Sequence, residues 1–528
     1  MSNGPDLPEE YRDIPHDFFR YGTGKYSDII LLPQPSDSPN DPLNWPQVRK
    51  EVILLILSLN AAVVGAFGPM LGPGFVQIAQ QLDVSIAILS ESTAWAVLAI
   101  GLSLFIISPL AKIYGRRPMF LFSSVVMLGT SIWGAMATDY PSLLGARVLA
   151  GVGMAPYETL VQCVMGDIYF VHERATRIAF WNLLLMAGIN GGTVVAGYII
   201  EAEGYRWTFG ACAVIFGVLT VAVFFLVPET GYRRDILTPI VTIDDYGNKG
   251  LHMRPKYQIN LQGEDYQGRY IEISAMERKK TFGESLHIFN GRLSSGSFWK
   301  VFLRSIVMMC YPAVIWAFLT YGTEITWVII FSVVNSSFFS APPYNFTVAQ
   351  VGLISMSPFI LTSIGFCIAG PLNDYIVVYL TRKNRGIYEP EFRLPLMVVA
   401  IILGIIGFFG FGLTIYFQTH WTGPVLCFGT AYLSLVFSST CVFGYILDSY
   451  RKHNAEAFVA INSRNLLGFG VTYLVTPWLE KDGPLKVFII LGFVFVSCSL
   501  LSVPLWIYGK RFRSFTGKTR WLVRLMED

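Results

Sequence analysis

Two charges sit in the fourth long apolar stretch of the chain, residues 141–164, where hydrocarbon does not tolerate them. Arg147, Gly151, Met154 and Glu158 follow one another at spacings of four, three and four, which places them on one face of a helix. Charged groups at such depth are costly and are read first as functional. Eleven residues separate Arg147 from Glu158, about 16 Å at 1.5 Å per residue. That is too far for an ion pair, but water or a bound molecule can link the two along a central cavity. A carboxylate in such a place can be held by a proton or by a cation, so two ligands compete for one group. The plainer reading gives Glu158 a packing or capping hydrogen bond and nothing more.

Other stretches offer further groups. Pro312, Trp316, Thr320 and Glu324 recur every four residues, with Tyr321 and Trp327 beside them. Pro312 permits a bend, and aromatic faces around a carboxylate receive cations. The alternative is a carboxylate near the outer interface among ordinary belt aromatics. Farther on, Asn462, Asn465 and Phe469 share a helical face. Arg464 is about 9 Å deep if its helix starts near Phe458, and is expected to snorkel to the interface. Asn60 and Asn182 are polar candidates in the first and fifth stretches, with interhelical bonding as the simpler role. His16, His172, His252, His287, His420 and His453 all fall outside the apolar stretches or at their edges, so no histidine relay and no metal site are expected. The seven cysteines lie within apolar runs and read as packing residues. No cofactor is expected.

The elements that must position these groups follow from composition. The chain has 528 residues, 53% hydrophobic and 14% charged, with mean hydropathy +0.50. Soluble chains carry about 25% charged residues, so this composition belongs in a bilayer. The opening MSNGPDLPEEYRDIPHDFF has no early apolar region and is not expected to act as a signal peptide. Spans need about 20 apolar residues. They are expected at 50–72, 90–111, 119–138, 141–164, 178–200 and 207–227, then at 303–334, 350–372, 394–416, 423–446, 458–478 and 485–508. The seventh is overlong, and EITWVIIFSVVNSS could continue it as a tilted or kinked piece.

Charge sets the orientation. With both ends cytoplasmic, the far loops hold only Arg206, Lys481 and Lys486; Arg147 and Arg464 fall within spans. The rest of the 39 basic residues lie in cytoplasmic segments or at cytoplasmic helix ends. Two sequons, at Asn335 and Asn345, are expected in an exterior loop and are candidate glycosylation sites. The expected organisation is a cytoplasmic tail at 1–48, a six-helix bundle at 49–227, a cytoplasmic linker at 228–300, a second bundle at 301–508 and a cytoplasmic tail at 509–528. The class is all-α membrane protein.

SPLAKIYGRRPMF, from Ser108, and GPLNDYIVVYLTRKNRG, from Gly370, each end the second span of a half. Repeated halves with a ligand site between them are how many secondary transporters are built. The first copy resembles the signature loop of the major facilitator superfamily, G-x-x-x-D-[RK]-x-G-R-[RK]. Gly115, Arg116 and Arg117 match, whereas Ser108, Lys112 and Ile113 depart from it. The second copy keeps Gly370 and Asp374. The resemblance implies a cytoplasmic gate at Lys112, Gly115, Arg116, Arg117, Asp374 and Arg382, with Asp167 or Glu173 as acidic partners for Lys112. The plainer reading is topology-setting charge.

Arg147-Val-Leu-Ala-Gly151-Val-Gly153 is similar to the fourth-helix motif of the superfamily's drug:proton antiporters. Gly188-Ile-Asn-Gly-Gly192-Thr-Val-Val-Ala-Gly197 is similar to their fifth-helix motif, with Thr193 and Ala196 as departures. Gly188, Gly192 and Gly197 are expected to let helices pack closely. DPLNWP, FVHERATR, VPET and GIYEPEFRLPL resemble fungal members of that branch.

The resemblance implies a monomeric twelve-helix secondary transporter that exchanges inward protons for outward drugs, toxins or secondary metabolites. Arg147, Glu158, Asn60, Trp316, Glu324, Asn462 and Asn465 are the candidate residues for proton coupling and substrate. One alternative is proton-coupled import of small cationic nutrients such as polyamines. Another is a membrane sensor that signals through residues 228–300. Enzyme chemistry is not expected: no paired acids, Ser-His pair or metal cluster shares one depth. Gly517-Lys-Thr lacks the upstream glycine of a phosphate loop, so ATP-driven transport is not expected; nor is a nucleic-acid partner. The plasma membrane is the expected location, with vacuolar or other endomembranes as the alternative.

Overall fold

A computed structural model of the chain describes residues 35–36, 38–232, 238–243, 249–254, 278–294, 296–384, 389–450 and 453–518. Most of the 1–48 tail, much of 228–300, the first three residues of GIYEPEFRLPL and the end of the chain lie outside the described residues. Hydrocarbon offers the backbone no partners, so an apolar chain that enters it closes its hydrogen bonds within helices.

The first half comprises α1 (Gln47–Phe67), α2 (Phe75–Gln81), α3 (Ile86–Tyr114), α4 (Arg117–Met136), α5 (Tyr140–Ile168), α6 (Val171–Glu203) and α7 (Tyr205–Leu226). Between the halves, β1 (Thr238–Ile243) pairs antiparallel with β2 (Lys249–Arg254), followed by the short α8 (Phe282–Ser285). The second half comprises α9 (Phe298–Val307), α10 (Pro312–Phe339), α11 (Val348–Leu353), α12 (Met356–Lys383), α13 (Leu396–Tyr416), α14 (Thr422–Ser449), α15 (Asn454–Asn462), α16 (Asn465–Leu500) and α17 (Ser502–Lys518).

Among the described residues, eleven helical segments are long and apolar enough to span a membrane, and the last of them covers 63 residues. That last segment turns at Gly483, whose φ of 74° breaks the helix before Pro484. Two crossings result there, twelve among the described residues, so the start of α1 and the end of the last crossing lie at one face, called the terminal face below.

The seventh crossing corrects its expected start. Residues 298–307 form a separate amphipathic helix, and the crossing begins at Pro312 after a 3-10 turn. EITWVIIFSVVNSS is part of that crossing. Asn335 is therefore inside α10 and only 7% exposed, not in a loop. Asn345 alone of the two sequon asparagines is in the connection to α11, and it is exposed.

Small residues set the closest approaches. A Cβ on Gly188 would meet the backbone of Ala62, and one on Gly192 would meet Ala66, so α6 lies tightly on α1 within the first half. Gly197 instead crosses to the second half, where a Cβ would stand 3.0 Å from the Gly352 Cα. Large aromatics fill the second half: Phe331 packs against Phe411 at 4.8 Å and Phe488 at 5.4 Å between ring centroids.

Candidate functional site

Between the halves lies a cavity of about 170 Å³, room for several waters or one small organic molecule. Its first-half wall comes from α1, α3, α5 and α6, and its second-half wall from α10, α14, α15 and α16. Arg147, Met154 and Glu158 all face it, so the helical spacing on α5 marks a real face. Gly151 on the same face packs on α3 instead, where a Cβ would strike the Ala96 carbonyl.

Glu158 reaches across to the other half. Its Oε2 is 3.7 Å from an Nη of Arg464 and accepts a hydrogen bond of 3.1 Å from Asn465 Nδ2. Arg464 also donates to Asn465 Oδ1 at 3.0 Å, and its guanidinium lies 4.7 Å from the Tyr321 ring centroid. The side chains are 7% exposed for Arg464 and 24% for Glu158. A buried charge pair depends on how well the remaining donors and acceptors are matched; Asn465 bonds both partners and the Tyr321 ring faces the guanidinium, while Arg464 Nε has no acceptor among the described residues.

Arg464 corrects the expectation that it snorkels to the inner interface. Its helix begins at Asn454 rather than near Phe458, which adds about 6 Å of depth. The chain breaks between α15 and α16 at Ser463 and Arg464, aiming the guanidinium inward.

Arg147 sits nearer the opposite face, at the other end of the cavity. Its Nη2 donates to the Gly68 carbonyl at 2.8 Å, holding the end of α1. Asn462, Asn465 and Asn182 line the cavity as well, as do Tyr157 and Gln162, which the sequence reading did not single out. Gln162 lies one turn beyond Glu158 on the same face, and that spacing was the available signal.

Three candidates fall elsewhere. Asn60 is buried and donates to the Ile56 carbonyl one turn back at 3.0 Å, away from the cavity. Trp316 packs edge-on against Tyr445 at 5.9 Å inside the second half. Glu324 is buried there too, with Ser434 donating to its Oε1 at 3.3 Å. The face of α10 that does line the cavity runs through Tyr321, Ile325, Val328 and Ser332. One residue of offset turns a helix by about 100°, enough to put Trp316 and Glu324 into the bundle.

At the terminal face the charged motifs form a collar. Lys112 pairs with Glu456 of the other half at 2.6 Å, not with Asp167 or Glu173. Arg116 pairs with Asp167 inside the first half. The backbone amides of Arg116 and Arg117 donate to the Glu229 carboxylate at 3.0 and 3.1 Å. Gly115 has φ 99°, and a Cβ there would strike that carboxylate, so the position requires glycine. The Arg117 side chain donates to the carbonyls of Val227, Phe224 and Leu286.

The second half repeats the arrangement: Arg393 pairs with Asp448 at 2.6 Å, and Arg513 grips Glu391 at 2.8 Å. Asp374 and Arg382 are exposed and form no ion pair among the described residues.

At the opposite face the halves meet through Gly197 on Gly352, through Gly72 on the Ser332 carbonyl, and through Ser90 and Thr476 hydroxyls 3.2 Å apart. Glu201 accepts from the Ala349 amide at 2.6 Å.

Residues 53–473 match the family model described as Major Facilitator Superfamily. The chain belongs to that superfamily. Among its superfamily relatives is an uncharacterised MFS-type transporter of Schizosaccharomyces pombe, 26% identical over 94% of this chain and 90% of the relative. The efflux pump radE of Floropilus chiversii is 24% identical over 90% of this chain and 84% of the pump. Among solved structures of the superfamily, the proton:xylose symporter XylE bound to 6-bromo-6-deoxy-D-glucose superposes with TM-score 0.59 at 12% identity. That match covers 89% of this chain and 97% of the symporter chain, and it carries the fold alone. Family and fold are those of multi-pass membrane transporters.

Proposed function

We propose that the chain is a proton-coupled secondary transporter that exports small amphipathic organic compounds by alternating access, one half rocking against the other. The observation that carries this reading is the carboxylate of Glu158, which faces a cavity between the halves and is held by Arg464 and Asn465 of the opposite half. Protonation removes its attraction for Arg464 and leaves a neutral acid, so proton binding loosens one contact between the halves. The printed name of the radE relative, an efflux pump, supports the outward direction. Import of small cations is less well supported. The cavity presents two guanidiniums to one carboxylate, and that carboxylate already has a cationic partner.

On this reading the terminal face is cytoplasmic, Lys112 with Glu456 closes part of the inner gate, and residues 228–300 link the two bundles. The protein works as a monomer in the plasma membrane, and Asn345 is glycosylated outside. The test is compound-stimulated proton flux in proteoliposomes containing the full chain. Wild type preloaded with an exported compound acidifies the lumen as the compound leaves, and Glu158→Gln does not, at equal protein content. Unchanged flux in the variant removes Glu158 from the coupling.

A further inference from the structure

Arg147 leaves the far end of the cavity cationic and short of acceptors. It is 2% exposed, lines the cavity, and spends one Nη2 proton on the Gly68 carbonyl. Its Nε and Nη1 find no acceptor among the described residues, and it forms no ion pair there. A guanidinium offers five N–H donors in a planar fork. Nη2 keeps a second proton, so one two-pronged edge of the fork, Nη2 with either Nε or Nη1, is open. Buried donors left without acceptors carry a standing penalty, and a carboxylate is the group whose two oxygens match that edge.

The rest of the cavity sharpens this. Its one carboxylate, Glu158, is matched by Arg464 at 3.7 Å, so Arg147 is a surplus positive charge in a low-dielectric hollow. Tyr157, Trp181, Met186, Tyr321 and Phe443 supply an apolar and aromatic lining.

We infer that Arg147 is a carboxylate-binding subsite and that the cargo is an amphipathic organic acid, its carboxylate on the open edge of the Arg147 fork and its apolar body along the aromatic wall. The word cargo rests on the transport reading above; the subsite does not. An organic anion leaving and a proton entering both move with an inside-negative membrane potential, so one-for-one exchange of the two is driven by voltage as well as by pH.

The test uses the purified full-length chain and three probes with one aryl body: 4-phenylbutyric acid, its methyl ester and 4-phenylbutylamine. Titration calorimetry is expected to show the acid bound at least tenfold more tightly than the amine. Arg147→Gln should erase that preference, weakening the acid about tenfold with ester binding unchanged. Arg147→Lys, which keeps the charge and loses the fork, should recover only part of it. Acid binding no tighter than amine binding, or acid affinity unchanged in Arg147→Gln, overturns the inference. The same probes in proteoliposomes separate the two ideas. Proton-linked movement of the amine and not the acid sinks the subsite and leaves transport standing. Arg147-dependent acid binding with neither compound nor proton movement keeps the subsite and sinks transport.

Discussion

Glu158 and Arg464 stand 3.7 Å apart although they come from opposite halves of the chain and lie 306 residues apart in sequence. Asn465 bonds both of them. The two halves of a rocking molecule thus share one polar knot beside the cavity, and any motion that separates the halves at this depth must break it.

The knot predicts strong non-additivity. Glu158→Gln and Arg464→Gln should each lower the melting temperature. The double variant should recover part of the loss, with a coupling of about 1–3 kcal/mol. A thermal double-mutant cycle checks it; additive losses would mean the two side chains do not feel each other.

Lys112 and Glu456 are expected to act on gating and on stability together, because Lys112 is 41% exposed while the Glu456 side chain is only 4% exposed, and a carboxylate buried that far is costly once its partner is removed. Glu456→Lys should raise thiol labelling of the cavity from the terminal face. Adding Lys112→Glu should restore the wild-type rate. Failure of the swapped pair to restore it would assign the effect to Glu456 alone.

A Cβ on Gly197 or Gly352 would stand 3.0 or 3.1 Å from the other's Cα, so a side chain at the opposite face pushes the two helices apart. Gly352→Val should prevent closure there and abolish transport, while the protein still reaches the membrane in normal amount. Transport at the wild-type rate would show that the two helices need not come this close.

The two sequons should behave differently. Asn345→Gln should remove any glycan-dependent mobility shift, and Asn335→Gln should change nothing, since Asn335 is buried in α10. A shift lost only with Asn335 would contradict the placement of α10.

Much of the fold was legible because bilayer chemistry is simple to read. Runs of about 20 apolar residues and the segregation of lysine and arginine sufficed to count twelve crossings and two halves. The Arg147 and Glu158 face was legible for the same reason: a strict helical period with charges in it has few innocent explanations. Arg464 was not, because its depth depends on a helix start four residues earlier than apolar content alone suggests. Trp316 and Glu324 were misplaced by one residue of helical phase, which composition cannot fix when both neighbouring faces of α10 are buried. The partner of Lys112 was out of reach for a different reason. Glu456 is 344 residues away, and only the packing of α3 beside α15 brings them together.

The measurement that bears most directly on the central claim is thiol accessibility inside the cavity. Asn182→Cys, placed on the cavity wall in a chain stripped of its native cysteines, is challenged with a membrane-impermeant reagent from each side of sealed vesicles. Alternating access predicts labelling from both sides, with protonation and cargo changing the ratio between them. Labelling from one side only, under every condition of pH and cargo, would contradict it.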